Sequence, residues 1–388
     1  MKKKLSLVLA TLMLLGLLAG CGGQPAASGD KDTVVVYIGD IFNSMTPYMT
    51  TANSDQAVFD QVYETLTVTK DDGTVAPCLA KSWKMSDDCL EYTFQLEEGV
   101  KFHNGEVMTA DDVVYSFEQY LANPAKNNFV SMIDKVEMVD ANTVKVTLNK
   151  ITPLFLVYIN ELPILNKKFV EEHNGNISDV ACGTGPYKLT SIDLATSAML
   201  ERNDDYRLAP AAIEKVELRY VGDRSTASVQ LETGDLDIMS IDPSQLVSFE
   251  NNDKFTVEKV QTLKTALLAI NTTVAPLDNK LVRQAMTYAV DKKSIITIAY
   301  ENCAVPARLQ ASDTNCFGVD FSDATDFSYN PEKAKELLAE AGYPNGLNFA
   351  DYGIQMDVLG GTYMEKAAQV MQQNFADVGI TIELRNTS

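Results

Sequence analysis

The pattern of apolar residues changes twice along this chain, and that change limits the possible folds more than any single motif does. "TVVVYIG" (Thr33 to Gly39) is an almost continuous apolar run, which predicts a strand buried on both faces. From about residue 70 to 182, apolar residues alternate with polar ones, as at Tyr92, Phe94 and Leu96, which predicts short antiparallel strands. Beyond that, helical and strand patterns alternate again. The sequence therefore predicts an α/β protein that carries a mainly β segment.

Capping residues mark the predicted helices of the second half. Ser225 is a candidate cap for a helix that ends near Gly234. Asp278 is a candidate cap for one long helix that has Lys292 and Lys293 near its negative end. Asn330 precedes a proline and a third helical pattern, which predicts another helix start.

The first 20 residues have the character of a signal peptide. Three lysines precede an apolar run, Leu5 to Leu18, that is short for a membrane span. The segment Leu18 to Cys21 resembles the bacterial lipoprotein box, which implies cleavage before Cys21 and a lipid on its sulfur. An ordinary secretory signal is the alternative. Residues 21–32 are small and polar, so we expect a flexible tether.

The charge and the cysteines narrow the choice of partners. A net charge of −21 argues against nucleic acid, because phosphate binding needs a surplus of Lys and Arg. Outside the cytosol disulfides are allowed. Cys78 with Cys89, and Cys303 with Cys316, are near in sequence and form candidate pairs, while the alternative leaves every cysteine reduced. No C-x-x-C or Cys/His spacing occurs, so no metal site is assigned.

"VKFHNGEVMTADDVVYSF" (Val100 to Phe117) contains one of only two histidines. Asn104-Gly105 is a favoured hairpin turn, and Thr109 with Asp112 has the pattern of a capping box. A catalytic His103 would need a nucleophile, but the G-x-S-x-G elbow is absent. A metal site would need more ligands than the sequence brings near. We interpret His103 as structural and assign no catalytic residue.

Several segments together resemble one family. In chain order they are "APCLAKSWKMSDDCLEYTFQLEEGVKFHNGEVMTADDVVYSFE", "GTGPYKL", "ERNDDY", "LETGDLDI", "NTTVAPLDNKLVRQAMTYAVDKKSII" and "YNPEKAKELLAEAGYPNG". They resemble the family 5 extracellular solute-binding proteins, which are the oligopeptide-, dipeptide- and nickel-binding proteins of ABC importers. The resemblance covers roughly residues 33 to 385. Cys89 stands where the family usually has glycine, which would fit a local disulfide with Cys78.

The resemblance implies an α/β fold, the two-lobed clamshell of periplasmic binding proteins, with an extra mainly β domain inserted in lobe I. Domain I would comprise 31–59 and 183–263, domain II 60–182, and domain III 264–388. Family members continue beyond this point. We therefore expect an incomplete domain III and a chain truncated at its C-terminus.

The resemblance also implies a function without catalysis or cofactor. We expect a monomeric substrate-binding lipoprotein of an ABC transporter, held to the outer face of the cell membrane through Cys21. It would capture di- or oligopeptides and deliver them to permease subunits. Alternatives are a nickel-chelate or oligosaccharide binder, or a receptor for signalling peptides; a hydrolase is disfavoured. The candidate ligand-binding residues are Phe42, Asn43, Thr51, Gly183, Thr184, Gly185 and Asn271.

Overall fold

The chain divides into two units, which a computed structural model describes over residues 32–70, 73–260, 265–307, 325, 327–359 and 362–386. Unit one contains the described residues up to Thr69 together with Val75–Met239. Unit two contains those of Lys70–Thr74 and Ser240–Ser388. The predicted signal peptide, Cys21 and Cys316 lie outside the described residues. The predicted domain boundaries stay predictions.

The predicted first strand lies at the edge of a four-stranded sheet in unit one. In spatial order the sheet consists of β1 (Thr33–Ile38), β10 (Lys215–Tyr220), β9 (Ser197–Arg202) and β8 (Tyr187–Asp193). Strand β1 is parallel to β10, and the other neighbours are antiparallel. Val36 and Ile38 pack against a large core, whereas Val35 and Tyr37 join Ala227 in a smaller one. Both faces of β1 are therefore covered, as its apolar run predicts.

The predicted mainly β segment forms a second four-stranded sheet, in which all neighbours are antiparallel. Its spatial order is β4 (Ala80–Met85), β5 (Glu91–Leu96), β7 (Thr143–Leu148) and β6 (Ile133–Asp140). The hairpin of β2 (Thr67–Thr69) and β3 (Val75–Pro77) precedes it. Tyr92, Phe94 and Leu96 are buried, so the predicted alternation is confirmed. One core cluster runs from this sheet to Tyr187 and Leu200 of the first sheet.

Three of the described helices of unit one begin at a capping side chain, provided by Thr109, Asn166 and Asp223. The helices of this unit are α1 (Asn53–Val62), α2 (Ala110–Ala122), α3 (Asn127–Val130), α4 (Phe155–Tyr158), α5 (Lys167–Glu172) and α6 (Arg224–Thr233), with 3-10 turns at Pro124–Lys126 and Ile159–Glu161. The capping box of Thr109 and Asp112 is confirmed at the start of α2. The prediction that Ser225 caps α6 is wrong. Asp223 is the cap, and its Oδ1 accepts a hydrogen bond of 2.7 Å from the backbone amide of Thr226.

Unit two contains helices and two short parallel strand pairs, which are β11 (Leu347–Asn348) with β13 (Ile380–Thr381) and β12 (Gln355–Val358) with β14 (Glu383–Asn386). Its elements are α7 (Leu246–Glu250) after a 3-10 turn at Pro243–Gln245, α8 (Lys280–Ala289), α9 (Lys292–Ala299), α10 (Pro331–Glu340), β11 (Leu347–Asn348), a 3-10 turn at Phe349–Tyr352, β12 (Gln355–Val358), α11 (Thr362–Asp377), β13 (Ile380–Thr381) and β14 (Glu383–Asn386). Asn330 caps α10 as predicted, accepting from the amide of Lys333 at 2.9 Å. Across the described ranges, no helix is both long and apolar enough to cross a membrane.

The single long helix predicted after Asp278 is wrong in two respects. Asn279 is the cap of α8, because its Oδ1 accepts from the amide of Leu281 at 2.9 Å. The helix then ends at Ala289, and Asp291 begins α9 by accepting from the amides of Lys293 and Ser294. A side chain that offers this cap competes with continued helix. The lysines at 292 and 293 thus start a second helix rather than finish the first.

Candidate functional site

The loop between β1 and α1 forms an open pocket that contains two predicted ligand-binding residues. Its volume is about 530 Å³, and we call it the loop pocket. The residues that line it are Asn43, Ser44, Met49, Thr50, Thr51, Ala52 and Ala125. The structure therefore brings the predicted Asn43 and Thr51 together. Amide, hydroxyl and apolar groups form the lining, the largest apolar group being the Met49 side chain, and none of the lining side chains carries a charge.

A buried carboxylate organises this loop from beneath. Asp55, in the first turn of α1, is fully buried. One of its oxygens accepts from the amide of Asn43 at 2.8 Å, and the other accepts from the hydroxyl of Thr50 at 2.7 Å. The Thr50 oxygen in turn accepts from the amide of Ala52 at 3.1 Å. These bonds tie both ends of the pocket-lining loop to the start of α1, where negative charge is also favoured by the helix dipole.

Our sequence reasoning missed Asp55 and Thr50. An acidic residue in the first turn of a predicted helix is an available signal, but it predicts only a helix start. Only the folded loop shows that the same carboxylate reaches back twelve residues to Asn43. By contrast, the predicted Phe42 is 2% exposed and packs in the large core of unit one. Its amide donates to the carbonyl of Leu194 at 2.9 Å, so Phe42 anchors the loop and does not line the pocket.

The Gly183–Gly185 segment crosses the end of α1 at very short range. A Cβ placed on Gly183 would lie 2.0 Å from the carbonyl oxygen of Val62, and one on Gly185 would lie 2.5 Å from that of Gln61. Both distances are impossible for a real side chain. Thr184 between them is 2% exposed, and its hydroxyl oxygen has no hydrogen-bond partner among the described residues. The glycines are needed for this close crossing.

His103 holds the same segment through both ring nitrogens. Nε2 lies 3.0 Å from the carbonyl oxygen of Gly185, and Nδ1 lies 3.4 Å from the amide nitrogen of Gly183. The carbonyl only accepts and the amide only donates, so Nε2 carries the proton and Nδ1 accepts. Burial lowers the pKa of His103 to about 4, against a smaller opposing effect of the Gly185 carbonyl. The neutral ring is thus a structural bridge, in agreement with the sequence interpretation.

Asn271 lies in unit two and is exposed. Its side-chain oxygen accepts from the amide of Thr273 at 3.0 Å and from the hydroxyl of the same residue at 2.7 Å. This is the local turn that asparagine commonly forms. Its role in ligand binding stays a prediction.

A buried ion pair lies just beyond the C-terminal end of α1. Glu64 is 8% exposed, and it receives hydrogen bonds from Arg207, at 2.7 Å in the shortest contact, and from the Tyr206 hydroxyl at 3.0 Å. The Cys78 sulfur lies 3.6 Å from both the Glu64 carboxylate and the Arg207 guanidinium. Burial, and then the Glu64 charge, raises the pKa of the Cys78 thiol to about 11.

The proposed Cys78–Cys89 disulfide is wrong in this structure, where both thiols are free. Cys78 precedes β4, whereas Cys89 lies in the turn after it. A six-residue strand between them spans roughly 20 Å, far beyond the Cα separation of about 7 Å that a disulfide tolerates. Cys89 has a φ of 60°, a conformation that glycine adopts at low cost. Cys303 is exposed, and its pairing with Cys316 stays a prediction because Cys316 lies outside the described residues.

The described residues include no cluster of three His, Cys, Asp or Glu side chains that could hold a metal ion.

Comparison with known proteins identifies the family. Residues 74–388 match the family model described as bacterial extracellular solute-binding proteins, family 5 middle. The chain belongs to this family. Heme-binding protein A of Haemophilus influenzae is 30% identical, over 98% of this chain and 76% of that protein. Glutathione-binding protein GsiB of Pectobacterium atrosepticum is also 30% identical, over 96% of this chain and 72% of that protein.

Solved structures of family 5 proteins share the fold. The periplasmic binding protein DppA of Helicobacter pylori, in complex with the peptide STSA, matches with a TM-score of 0.76 and 28% identity, over 92% of this chain and 74% of that one. The substrate-binding protein CtaP of Listeria monocytogenes matches with a TM-score of 0.78 and 28% identity, over 92% and 74%. The α/β periplasmic-binding-protein fold is confirmed. The chain spans about three quarters of the length of these relatives.

Family membership also confirms the class of activity. Family 5 proteins bind solutes for ABC transporters outside the cytoplasm and catalyse no reaction. This family 5 protein is therefore a solute-binding component and not an enzyme.

Proposed function

We propose that this family 5 protein captures peptides and delivers them to the permease of an ABC importer. The observation that carries the proposal is the loop pocket, whose lining is formed by the Asn43 side chain, by serine and threonine hydroxyls and by apolar side chains that include Met49. Such groups satisfy the donors and acceptors of a peptide backbone and do not select particular side chains. The DppA of H. pylori, 28% identical, was solved with a peptide, which supports the same class of ligand.

Glutathione is a second candidate, and it is itself a tripeptide. The GsiB of P. atrosepticum, 30% identical over 96% of this chain, is a glutathione-binding protein. The loop pocket offers hydrogen-bonding groups for either ligand. A binding screen also has to distinguish these ligands from nickel chelates, oligosaccharides and signalling peptides.

Calorimetric titration of the purified chain tests the proposal. The ligand panel contains the tetrapeptide STSA, glutathione, the nickel complex of histidine, and a maltose oligomer. We expect a saturable heat of binding with 1:1 stoichiometry for a peptide ligand, and no heat of binding for the sugar. A Thr51→Val variant removes one hydroxyl from the pocket lining and is expected to weaken the peptide about fivefold. Binding of the nickel complex or the sugar alone would remove the peptide proposal.

The membrane anchor is part of the same proposal. Cys21 follows the lipoprotein-box pattern, and a lipid there would hold the protein beside its permease. Cells expressing the chain and fed an alkyne-tagged palmitate are expected to label it, and Cys21→Ser is expected to abolish the label. Equal labelling of both forms would contradict lipidation at Cys21, and the Cys182→Ser variant controls for labelling of another thiol.

A further inference from the structure

Met49 places an oxidisable sulfur in the lining of the loop pocket. Its side chain lines the pocket and is 60% exposed. No other methionine of the described ranges is as exposed, and the next are Met138 at 55% and Met85 at 52%. A thioether has no proton to lose, so its reactivity towards oxidants depends chiefly on access. Met49 is therefore the methionine that an oxidant in solution reaches most readily.

The backbone on both sides of Met49 is tied down. Its own amide donates to the carbonyl of Thr46 at 3.0 Å. The hydroxyl of Thr50, the next residue, donates to the buried Asp55 carboxylate at 2.7 Å. Met45, four residues earlier, is fully buried in the large core of unit one. The loop thus keeps Met49 at the pocket, whereas Met45 is shielded from solvent.

Oxidation changes the chemistry of this lining. The sulfur lone pair attacks one oxygen of hydrogen peroxide, and an S–O bond forms as the O–O bond breaks. The sulfur is oxidised by two electrons, the proton of the transferred OH passes to the departing hydroxide, and the peroxide leaves as water. The product, methionine sulfoxide, is polar. The largest apolar group of the lining thereby becomes a hydrogen-bond acceptor, which loses its water when a ligand covers it.

We infer that Met49 is an oxidation site through which peroxides weaken ligand binding at the loop pocket. The inference rests on the proposed function, because it takes the loop pocket as the place where the peptide binds. In the reduced protein the Met49 thioether gives the ligand an apolar contact. In the oxidised protein the same contact covers a polar oxygen that the ligand does not satisfy, and this raises the free energy of the complex.

The test measures oxidation and affinity on the same protein. The purified chain is treated with hydrogen peroxide and then with dithiothreitol, which returns sulfenic acids and disulfides to thiols and leaves the sulfoxide in place. Peptide mapping by mass spectrometry is expected to find Met49 oxidised well before Met45. Calorimetry should then show that STSA binds about fivefold more weakly than before the treatment.

Two substitutions separate Met49 from the other oxidisable residues. Met49→Leu keeps an apolar side chain that peroxide does not oxidise, so its affinity for STSA should be the same before and after the treatment. Met49→Gln introduces a polar group without any oxidant, and it should bind STSA about fivefold more weakly than Met49→Leu does. Met138→Leu is the matched control, because Met138 is almost as exposed but lies in β6, outside the pocket lining. It should keep the wild-type loss of affinity on oxidation.

The outcomes distinguish the inference from the proposed function. If Met49 stays unoxidised, or if the oxidised wild type binds STSA as before, the inference fails while the proposed function stands. If Met49→Leu loses affinity on treatment as the wild type does, another residue carries the effect and the inference also fails. Equal affinities of untreated Met49→Gln and Met49→Leu would contradict it in the same way. If the untreated wild type does not bind STSA, the proposed function fails and the inference fails with it.

Discussion

Replacement of His103 by glutamine should change how acid destabilises unit one. The imidazole bridges Gly183 and Gly185 in its neutral form, and burial holds its pKa at about 4 compared with 6.5 in an unfolded chain. Between these values the unfolded state binds more protons than the folded state. Stability is therefore fully present above pH 6.5, falls as the pH drops through the window, and reaches its full loss below about pH 4.

The size of the effect follows from the pKa. The difference between a pKa of 6.5 in the unfolded chain and about 4 in the folded protein corresponds to a loss of about 3 kcal/mol of unfolding free energy between pH 7 and pH 4. Glutamine can still donate to the Gly185 carbonyl but cannot be protonated in this range. We expect His103→Gln to be about 1 kcal/mol less stable than the wild type at pH 7.5, for the imperfect replacement of its bonds. At pH 4 the variant should be the more stable protein.

Urea unfolding followed by fluorescence measures this directly. Trp83 is the only tryptophan of the chain. It packs against the core of unit one that contains Phe102, the residue before His103 in the chain, so its signal reports on the relevant unit. His173→Gln removes the other imidazole of unit one and leaves both bridging bonds intact, and it serves as the control. Parallel loss of stability in the wild type and in His103→Gln from pH 7.5 to pH 4 would refute the reasoning.

Three further predictions concern the same unit. Gly183→Ala should lower the unfolding free energy by about 3 kcal/mol, because the added Cβ would lie 2.0 Å from the last turn of α1. Gly39→Ala is the control and should change stability little, because its Cβ would have 3.7 Å of clearance. Equal melting temperatures of the two variants would contradict this prediction. Asp55→Asn should lose one of two charged hydrogen bonds, lowering stability by about 2 kcal/mol and weakening peptide binding in calorimetry; unchanged affinity would show that the loop holds without it. Non-reducing peptide mapping should find Cys78 and Cys89 separately alkylated, and a peptide linking them would show that the structure misplaces these thiols.

Several local features could be predicted because they depend on neighbours in sequence. A turn is present around Asn104-Gly105, but it is shifted by one residue from the predicted two-residue hairpin turn. The Gly105 amide donates to the Phe102 carbonyl at 2.8 Å, so His103 and Asn104 are the central residues, and Gly105 follows them at a φ of 88°. The capping box of Thr109 and the cap at Asn330 are present as well. In each case the group that satisfies the backbone lies within a few residues.

Predictions failed where two local signals competed. Asp278 and Asn279 are adjacent candidate caps, and the sequence does not show which one starts α8. Asp291 lies inside a long helical pattern, and its capping bonds divide that pattern into two helices. The preference for one capping residue over another is only about 1 kcal/mol. The packing of the surrounding chain therefore decides which of two adjacent candidates starts the helix.

By itself, the sequence determined the family, the α/β class, the presence of a mainly β segment, and the absence of a recognisable catalytic motif. These follow from apolar periodicity and from motifs in a fixed order, which are properties of the chain as a string. Only the tertiary structure decided which residues meet. It joined Asn43 and Thr51 in one pocket and brought the Asp55 carboxylate into hydrogen-bond contact with the loop that lines this pocket. The physical reason is that burial and hydrogen-bond partners depend on segments that lie far apart in sequence, so their energies exist only after the chain has folded.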